Sequence, residues 1–347
     1  MTCVKAIVCT RYGPPEVLSL EDVEKPAPID NAVVVRVHAT TVTAGDLEIR
    51  KFKFPLWLWL PARIGFGIRR PRSKILGQEL AGEVEAVGKE ASLFRQGDRV
   101  FGTTGFGFGA YAEYICLPEN PRGGVLAIMP AGVTYEEAVV LSLGGLEALH
   151  FLRKGNVRKG EKVLINGAGG SIGTLAVQLA KLFGAEVTAV DSTGKLDMLC
   201  SIGADHVIDY TREDFTRNGE TYDVIFDVVG KSPYSRSLRS LKQNGRYLLA
   251  NPGLSQIIRG VWTSLISSRK VIFGAAPYRA EDLIFLEELV EAGKIRPVID
   301  RSFPLERIVE AHEYAEKGHK KGNIVITVGE ETGSAARISR RAEGNMG

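Results

Sequence analysis

The residues best suited to chemistry lie in the glycine-rich segment KVLINGAGGSIG, residues 162–173. An apolar run leads into the glycines, and apolar residues with helical spacing follow directly. Gly170 and Gly173 permit a tight turn and the approach of a pyrophosphate to a helix N-terminus, where free N–H groups attract anions. Asp191 ends the next predicted strand, where an acid that binds a ribose hydroxyl is expected. This order predicts a dinucleotide site, whereas a Gly-x-x-Gly alone would indicate only a turn that begins a helix.

The elements that must position this segment fall into two kinds of sequence. Residues 1–126 contain short runs rich in valine and aromatic residues, separated by glycine turns, which is typical of a mostly antiparallel β domain. From residue 127 to about 275, predicted strands alternate with helical stretches, which indicates a parallel sheet with crossover helices. Residues 276–330 are expected to return and complete the first domain. Residues 331–347 are polar and are expected to form a disordered tail.

Composition excludes several classes of function. The chain has 347 residues, enough for two domains with full cores. Its net charge of +3 is too small to indicate nucleic acid as a partner. No run approaches the roughly 18 apolar residues that span a bilayer, and the N-terminus lacks the apolar core of a signal peptide. The four cysteines are scattered, so a reduced, cytoplasmic protein is expected.

Several further motifs accompany the glycine segment, namely GQELAGEVEAVG, QGDRVFG, GAYAEY and LGGLEALHFL. Together they resemble the zinc-independent, quinone-oxidoreductase-like branch of the medium-chain dehydrogenase/reductase superfamily over residues 3–328. The resemblance implies an α/β fold, in which a doubly wound Rossmann sheet (127–275) binds NAD(P) and a GroES-like, mostly antiparallel β domain (1–126 with 276–330) completes the active site. It also implies a homodimer formed through the edge of the Rossmann sheet, for which RKVIFGA at 269–275 is the candidate strand.

The glycine segment, the resemblance and the predicted carboxyl edge of the parallel sheet together give a set of expected cofactor contacts. These are Ala168, Gly169, Gly170, Ser171, Ile172, Gly173, Asp191, Ser192, Thr193, Lys195, Tyr210, Val228, Val229 and Asn251.

The choice between NAD and NADP stays open. Asp191 favours NAD, because a carboxylate accepts from a ribose 2′-OH and repels a 2′-phosphate. Lys195 and Tyr210 stand where NADP-using relatives place a phosphate-binding Lys and Tyr, although Lys195 could equally be an exposed lysine at a helix start. Ser171 replaces a further glycine of the branch, and its hydroxyl could bind a phosphate oxygen or cap the helix. Glu147 stands where relatives usually have threonine.

No zinc is expected. In the metal-using members of the superfamily, three side chains bind the zinc ion, and the corresponding positions here are Thr43, Gln78 and about Leu143. None of these is a credible zinc ligand. The four-cysteine structural lobe of those members is also missing, since no cysteine lies between Cys9 and Cys116.

Without a Lewis acid, reversible alcohol oxidation becomes difficult, whereas quinones and α,β-unsaturated carbonyls accept hydride directly. The candidate catalytic residues are Thr43, Asp46 and Gln78. Thr43 fills the position near the nicotinamide where the branch usually has Asn, and Asp46 matches an acid of the branch. Thr43 and Asp46 also form an acceptable capping pair for a short helix. Gln78 could donate to a substrate oxygen or satisfy buried backbone.

An unusual insert, residues 51–74, has four large apolar residues followed by four basic ones: Trp57, Trp59, Leu60, Phe66, Arg69, Arg70, Arg72 and Lys74. It could be a lid over a planar substrate, a packed loop with a solvated basic end, or a segment that binds an anionic membrane surface. We favour the first two because the basic cluster is short.

Three functions are therefore compared. The first is reduction of quinones or activated alkenes by NAD(P)H. The second is reduction of an enoyl thioester, whose phosphopantetheine carrier could meet the basic residues of the insert. The third is cofactor binding without turnover, in a structural or membrane-peripheral protein. Intact glycines support all three equally.

Overall fold

The computed structural model describes residues 2–129 and 132–329, so the expected disordered tail at 331–347 lies outside the described residues. Its mixed α/β architecture confirms the fold class that the sequence predicts.

A six-stranded parallel sheet has the strand order β10-β9-β8-β11-β12-β13. Its strands are β8 (Lys162–Asn166), β9 (Glu186–Asp191), β10 (His206–Asp209), β11 (Tyr222–Asp227), β12 (Leu241–Leu249) and β13 (Lys270–Phe273). Side chains alternate between its two faces: in β8, Val163 and Ile165 join one core cluster and Leu164 joins another. Because both faces are covered, the buried middles of the central strands, such as Val163–Ile165 in β8 and Val224–Phe226 in β11, are continuous apolar runs.

The helices that follow or cover this sheet are α4 (Ser142–Lys154), α5 (Ser171–Leu182), α6 (Leu196–Ser201), α7 (Tyr234–Arg239), α8 (Leu254–Ile266) and α9 (Ala280–Glu291). Leu146 of α4, Leu175 of α5 and Leu286 of α9 pack into the core on one face. Tyr234 of α7 packs into the core on the other. The sheet therefore has the doubly wound arrangement that was expected.

A second, mostly antiparallel sheet has the strand order β14-β15-β3-β4-β5-β7, and β6 also pairs with β3. Its strands are β3 (Ala32–Thr41), β4 (Glu79–Val87), β5 (Arg99–Thr103), β6 (Tyr114–Pro118), β7 (Val125–Ile128), β14 (Ile299–Pro304) and β15 (Asn323–Thr327). A separate hairpin joins β1 (Cys3–Cys9) and β2 (Leu18–Glu24). The remaining helices are α1 (Ala44–Lys51), α2 (Leu56–Phe66), α3 (Tyr135–Val139) and α10 (Ile308–Glu316).

The two sheets meet where the chain returns after the parallel sheet. β15 pairs antiparallel with β3, which brings residues 323–327 into the sheet built by the first third of the chain. Just before β15, the Gly322 N–H donates to the carbonyl of Gly169 at 2.8 Å. The returning segment therefore contacts the glycine loop directly. The domain limits 126/127 and 275/276 stay predictions.

Candidate active site

The glycine loop leaves an open cradle at the N-terminus of α5. Gly170 is the N-cap and forms an isolated parallel β-bridge with Gly322, and the N–H groups of Ile172 and Gly173 find no acceptor within the described residues. A Cβ built on Gly173 would lie 2.3 Å from the Gly167 carbonyl oxygen, so glycine is required there for close packing of helix on strand. A Cβ on Gly170 would meet nothing nearer than 3.7 Å. The loop therefore offers unpaired donors and room to an anion, as a pyrophosphate requires.

The side chain of Asp191 is bonded to the backbone of the glycine loop. Its carboxylate accepts from the N–H of Gly169 at 2.8 Å and from the N–H of Ser192 at 2.8 Å. The same carboxylate forms an ion pair with Lys195 at 3.1 Å, and both side chains are buried. The two residues that favour opposite cofactors in the sequence are therefore bonded to each other, so neither charge acts alone at this site.

The other expected ribose contacts gather at the carboxyl ends of β9 and β10, where Asp191 pairs in register with Asp209. The hydroxyl of Thr193 donates to the Asp209 carboxylate, and hydroxyls of Thr193 and Thr211 lower the pKa of Asp209. The ring of Tyr210 is largely exposed. Thr193 and Tyr210 are therefore both exposed at this edge of the sheet.

Ser171 has a contact that the sequence did not indicate. It is the first residue of α5, and no side chain caps the helix, so the capping role considered for it is wrong. Instead, the ammonium of Lys320 donates to the Ser171 hydroxyl at 2.9 Å and to the Gly322 carbonyl at 2.7 Å. Burial, and then the charge of Lys195, lower the pKa of Lys320 to about 8. A cation from the returning segment therefore sits at the mouth of the cradle.

Val228, Val229 and Asn251 lie at the carboxyl edge of β11 and β12, as the strand order requires. The amide of Asn251 donates to the Val228 carbonyl at 2.9 Å. Val229 is half exposed, and its side chain lies 2.4 Å from the position of a Cβ on Gly167. Val228 and Val229 therefore border the glycine loop on the side away from Asp191, and Asn251 is bonded to Val228. Ala168 is buried beneath it, and its N–H donates to the Val190 carbonyl at 3.1 Å.

The candidate catalytic residues form the second half of the cleft. Thr43 and Asp46 make the reciprocal capping box of α1: the Thr43 hydroxyl and N–H donate to Asp46 at 2.7 and 3.0 Å, and the Asp46 N–H donates back. Asp46 also accepts from the Gly77 N–H at 3.2 Å and is fully buried, which raises its pKa. The Asp46 carboxylate therefore joins the start of α1 to the segment at Gly77, whereas Thr43 is partly exposed.

Gln78 lies against the same helix start. Its amide nitrogen donates to the Gly105 carbonyl at 3.1 Å. A Cβ on Gly45 would lie 2.7 Å from the Gln78 amide oxygen and 3.5 Å from the Thr43 hydroxyl, so the two side chains meet around Gly45. The absence of a side chain at Gly45 thus makes room for the glutamine.

Glu79, which the sequence did not single out, connects the two halves. It is buried, accepts from the Leu143 N–H at 2.6 Å and from the Thr41 hydroxyl, and burial raises its pKa to about 7. The next residue along α4, Gly144, lies close to the backbone of Ser171, where its Cβ would be 3.0 Å from the carbonyl oxygen. The cleft therefore runs from Gln78 past the start of α4 to the glycine loop.

The donor set in this cleft does not fit a zinc ion. Of the three corresponding positions, Thr43 is bonded to Asp46, Gln78 to backbone, and Leu143 offers only its backbone. Among residues 2–129 and 132–329, no group of three His, Cys, Asp or Glu side chains is arranged to hold a metal ion.

Glu147 of α4 has a partner that also escaped the sequence analysis. The Tyr278 hydroxyl donates to its carboxylate at 2.7 Å. Burial raises the pKa of Glu147, and burial together with the Glu147 charge raises that of Tyr278 well above its ordinary value. The pair fills the position expected for a threonine. Tyr278 follows β13 in an irregular segment, where periodicity gives no signal.

The insert forms α2 and covers a cavity of about 710 Å³. Leu58, Ala62 and Phe66 of α2 line it from one side, and Phe106 and Phe108 from the other. The phenylalanines follow Gly105, whose carbonyl accepts from Gln78. An apolar space of the size typical for small-molecule sites thus adjoins the polar cleft.

Comparison with known proteins places this arrangement in a family. Residues 29–126 match the family model described as alcohol dehydrogenase GroES-like domain, and residues 202–326 the one described as zinc-binding dehydrogenase. A quinone oxidoreductase of Pseudomonas aeruginosa is 31% identical, over 93% of this chain and 99% of its own length. The chain belongs to the medium-chain dehydrogenase/reductase superfamily, in its quinone-oxidoreductase-like branch. As a member of that branch it is an NAD(P)H-dependent oxidoreductase.

Other members of the superfamily agree in extent and fold. A 2-methylene-furan-3-one reductase of Solanum lycopersicum is 30% identical over 93% of this chain and 79% of its own length. The structure of a quinone oxidoreductase from Coxiella burnetii superposes with a TM-score of 0.83 at 29% identity, covering 94% of this chain and all of that one. The CurK enoyl reductase, at 23% identity and a TM-score of 0.76, shares the fold.

Proposed function

We propose that this reductase transfers hydride from NAD(P)H to quinones or to α,β-unsaturated ketones and aldehydes, without a metal ion. The observation that carries the proposal is the cleft around Gln78. An apolar cavity adjoins it, while the polar side chains at the ligand positions of metal-using relatives are bonded to their own chain. Conjugated acceptors suit such a site because they delocalise the incoming charge and need less activation than a simple carbonyl.

The chain's own residues then perform the remaining tasks. The free N–H groups at the start of α5 and the Lys320 ammonium bind the pyrophosphate, with Ser171 between them. The apolar cavity orients a planar acceptor and excludes water. A bound reduced nicotinamide supplies one hydride, and one proton completes the reduction to a hydroquinone or a saturated carbonyl. The Thr43 hydroxyl, at the edge of the cleft, or water delivers that proton.

The cofactor contacts and the preference between NAD and NADP are part of the proposal. The Asp191–Lys195 pair has no net charge, so we expect the exposed Tyr210 to decide whether a 2′-phosphate is accepted. The relative from Arabidopsis thaliana named NADPH-dependent alkenal/one oxidoreductase, 30% identical over 93% of this chain, supports NADPH. We therefore expect NADPH to bind more tightly than NADH.

We also propose a homodimer formed through β13, the edge strand of the parallel sheet. α8 lies beside this edge and exposes a row of apolar side chains: Ile258, Val261, Trp262, Leu265 and Ile266. Such a face is typical of a surface covered by another chain. Sedimentation as a monomer at micromolar concentration would count against this assembly. A cytoplasmic location stays a prediction.

The proposed reaction is tested by kinetics with a panel of acceptors. The panel contains ortho- and para-quinones, enones of increasing chain length and an enoyl-coenzyme A thioester, each with NADPH and NADH. We expect turnover with quinones or enones and little with the thioester. Preferred reduction of the thioester would instead favour the carrier-bound substrate considered above. Tight cofactor binding with no turnover on any acceptor would favour a non-enzymatic role.

A further inference from the structure

The segment that contains α2 concentrates the positive charge of the chain. Residues 49–78 include eight lysines and arginines and no aspartate or glutamate. Two of these cations, Arg50 and Lys51, form ion pairs with Glu316, and the other six form no ion pair within the described residues. The field of these cations attracts an anionic partner to one side of the molecule.

The outward face of α2 is an apolar stripe. Leu56, Leu60 and Ile64 follow at four-residue intervals and therefore share one face of the helix. Their exposed fractions are 92, 62 and 63%, and Ile68, just beyond the helix, is 71% exposed. Apolar side chains in such a continuous row mark an interaction surface rather than scattered surface residues. We call these four residues the α2 stripe.

The inward face of the same helix is already occupied. Leu58, Ala62 and Phe66 line the apolar cavity beneath it, and Ala62 is buried. A rotation of α2 that buried the α2 stripe would therefore remove these three side chains from the cavity. Trp57 and Trp59 begin the helix and are both partly exposed, which suits the amphipathic rings that settle at the boundary between headgroups and acyl chains.

Two arginines hold the basic turn against the end of the stripe. The guanidinium of Arg63 lies 3.7 Å from the centre of the Phe52 ring and donates to the Ile68 carbonyl at 2.6 Å. Arg72 donates to the Ile64 carbonyl at 3.2 Å. The turn between them is thereby fixed beside the α2 stripe rather than extended away from it.

The cations on this turn are available to a partner. Arg69, Arg70 and Lys74 are exposed, as is Lys53 before the helix. In the ranges that the structure describes, none of these four forms an ion pair, so their charges are not neutralised within the chain. An exposed apolar stripe with interfacial tryptophans and unpaired cations along its border is the pattern of a helix that lies in a membrane surface.

We propose that α2 docks this reductase on an anionic lipid bilayer. The α2 stripe enters the acyl boundary, and the cations of the adjoining turn contact lipid phosphates and anionic headgroups. Within the described residues no helix is long and apolar enough to cross a membrane, so the contact is peripheral. Because the cavity lies on the opposite face of α2, a lipophilic acceptor can pass from the bilayer to the cleft. This second step rests on the proposed function, whereas docking does not.

Tryptophan fluorescence measures the docking directly. The chain has three tryptophans, and Trp57 and Trp59 both lie on α2, so Trp262→Phe leaves reporters only on that helix. The full-length W262F protein is titrated with vesicles of phosphatidylcholine alone or mixed with phosphatidylglycerol. We expect a blue shift with the anionic vesicles that weakens as salt is raised, and little shift with phosphatidylcholine. No shift with anionic vesicles would overturn the proposal.

Three sets of variants locate the contact by co-sedimentation with the same vesicles. Leu56→Ser with Leu60→Ser removes stripe residues that do not line the cavity, and Arg69→Ser with Arg70→Ser removes two cations. Each double variant is expected to weaken binding at least about tenfold, since a juxtamembrane cation alone contributes roughly fivefold. The control is Ile29→Ser with Leu93→Ser, which removes two exposed apolar side chains that lie outside both α2 and the proposed dimer face. Loss of vesicle binding in this control, with retention in the α2 variants, would refute the assignment.

Turnover separates docking from the other roles of α2. Each variant is first shown to be folded by its circular dichroism and by NADPH binding, which involves a different part of the chain. With a water-soluble quinone, the stripe variants are expected to keep the parent activity. With a long-chain quinone in anionic vesicles, they are expected to lose it. A fall with the soluble quinone and unchanged vesicle binding would show that the stripe closes as a lid. Concentration-dependent association abolished by the stripe variants, without vesicle binding, would assign the face to a second copy of the chain.

Discussion

The glycine loop allows one prediction in which two similar substitutions must have opposite effects on stability. A Cβ on Gly173 would lie 2.3 Å from the Gly167 carbonyl oxygen, about 1 Å inside the 3.4 Å at which ordinary contact begins. A Cβ on Gly170 meets no protein atom within 3.4 Å, and the backbone there has φ −91°, which any residue adopts. Only the first substitution therefore strains the protein itself.

The magnitudes follow from these distances. Gly173→Ala forces α5 away from the end of β8 and should lower the free energy of unfolding by about 1–3 kcal/mol. Gly170→Ala should leave that free energy unchanged or raise it by up to about 1 kcal/mol, because the unfolded chain loses freedom. Its methyl group nevertheless enters the space beside the free N–H groups of α5. We expect the Kd for NADPH to rise at least tenfold, which is about 1.4 kcal/mol.

Two titrations measure these effects in Gly170→Ala and Gly173→Ala. Urea unfolding followed by circular dichroism gives the stability of each variant, and the fluorescence of NADPH on binding gives its Kd. The wild-type protein and Gly65→Ala, at an exposed glycine of α2 with no atom near its Cβ, serve as controls. If Gly170→Ala is folded and binds NADPH as tightly as wild type, the pyrophosphate does not approach this turn and the site has been placed wrongly.

Three further predictions concern side chains of the cleft. The pKa of Lys320 is lowered to about 8, so the folded state disfavours the charged ammonium, and this cost is relieved as pH rises from 8 toward the ordinary value of 10.5. Wild type should therefore gain stability from Lys320 between pH 8 and 10.5, and Lys320→Met should abolish that gain. In NADPH titrations, Lys320→Met should also remove a loss of affinity over the same range. The pKa of Glu79 is raised by burial to about 7, so this carboxyl lowers the stability of wild type as pH rises from 4.5 to 7. Glu79→Gln should lack this contribution of up to about 3 kcal/mol in urea unfolding, while other carboxyls with a raised pKa, such as Glu287, titrate in both proteins. An equal pH dependence in both proteins would contradict the assignment. Thr43→Val should lower the unfolding free energy by about 1 kcal/mol through loss of the helix cap, and Thr43→Ser should restore it. If Thr43→Val also loses kcat at saturating quinone and Thr43→Ser recovers it, the hydroxyl takes part in the reaction. Unchanged kcat in both variants would leave the hydroxyl with capping alone.

The parts of this molecule that were predictable from sequence are those determined by local pattern. The order of strand, glycines, helix and acid marks the dinucleotide loop, since the turn needs glycine at fixed positions relative to the helix start. The capping box of Thr43 and Asp46 is likewise a four-residue pattern, and the structure shows it. In each case the partners are so close in the chain that spacing alone defines their contact.

The parts that the sequence did not indicate depend on contacts between distant segments. Lys320 reaches Ser171 from a segment 149 residues later, and Tyr278 reaches Glu147 across 131. No periodicity connects such residues, and a lysine before a strand normally indicates a solvated side chain. Asp191 and Lys195 show a related effect. In the sequence, Asp191 favours NAD and Lys195 favours NADP, but the turn at the end of β9 brings the two side chains together as one neutral ion pair.

Turnover after removal of metal ions shows directly whether hydride transfer to a conjugated acceptor is metal-free. Protein treated with EDTA and then freed of it is mixed with NADPH and a water-soluble quinone or enone, and oxidation is followed by the loss of nicotinamide absorbance. We expect undiminished turnover, with no gain when zinc is added back. Activity that EDTA abolishes and zinc restores would contradict this expectation.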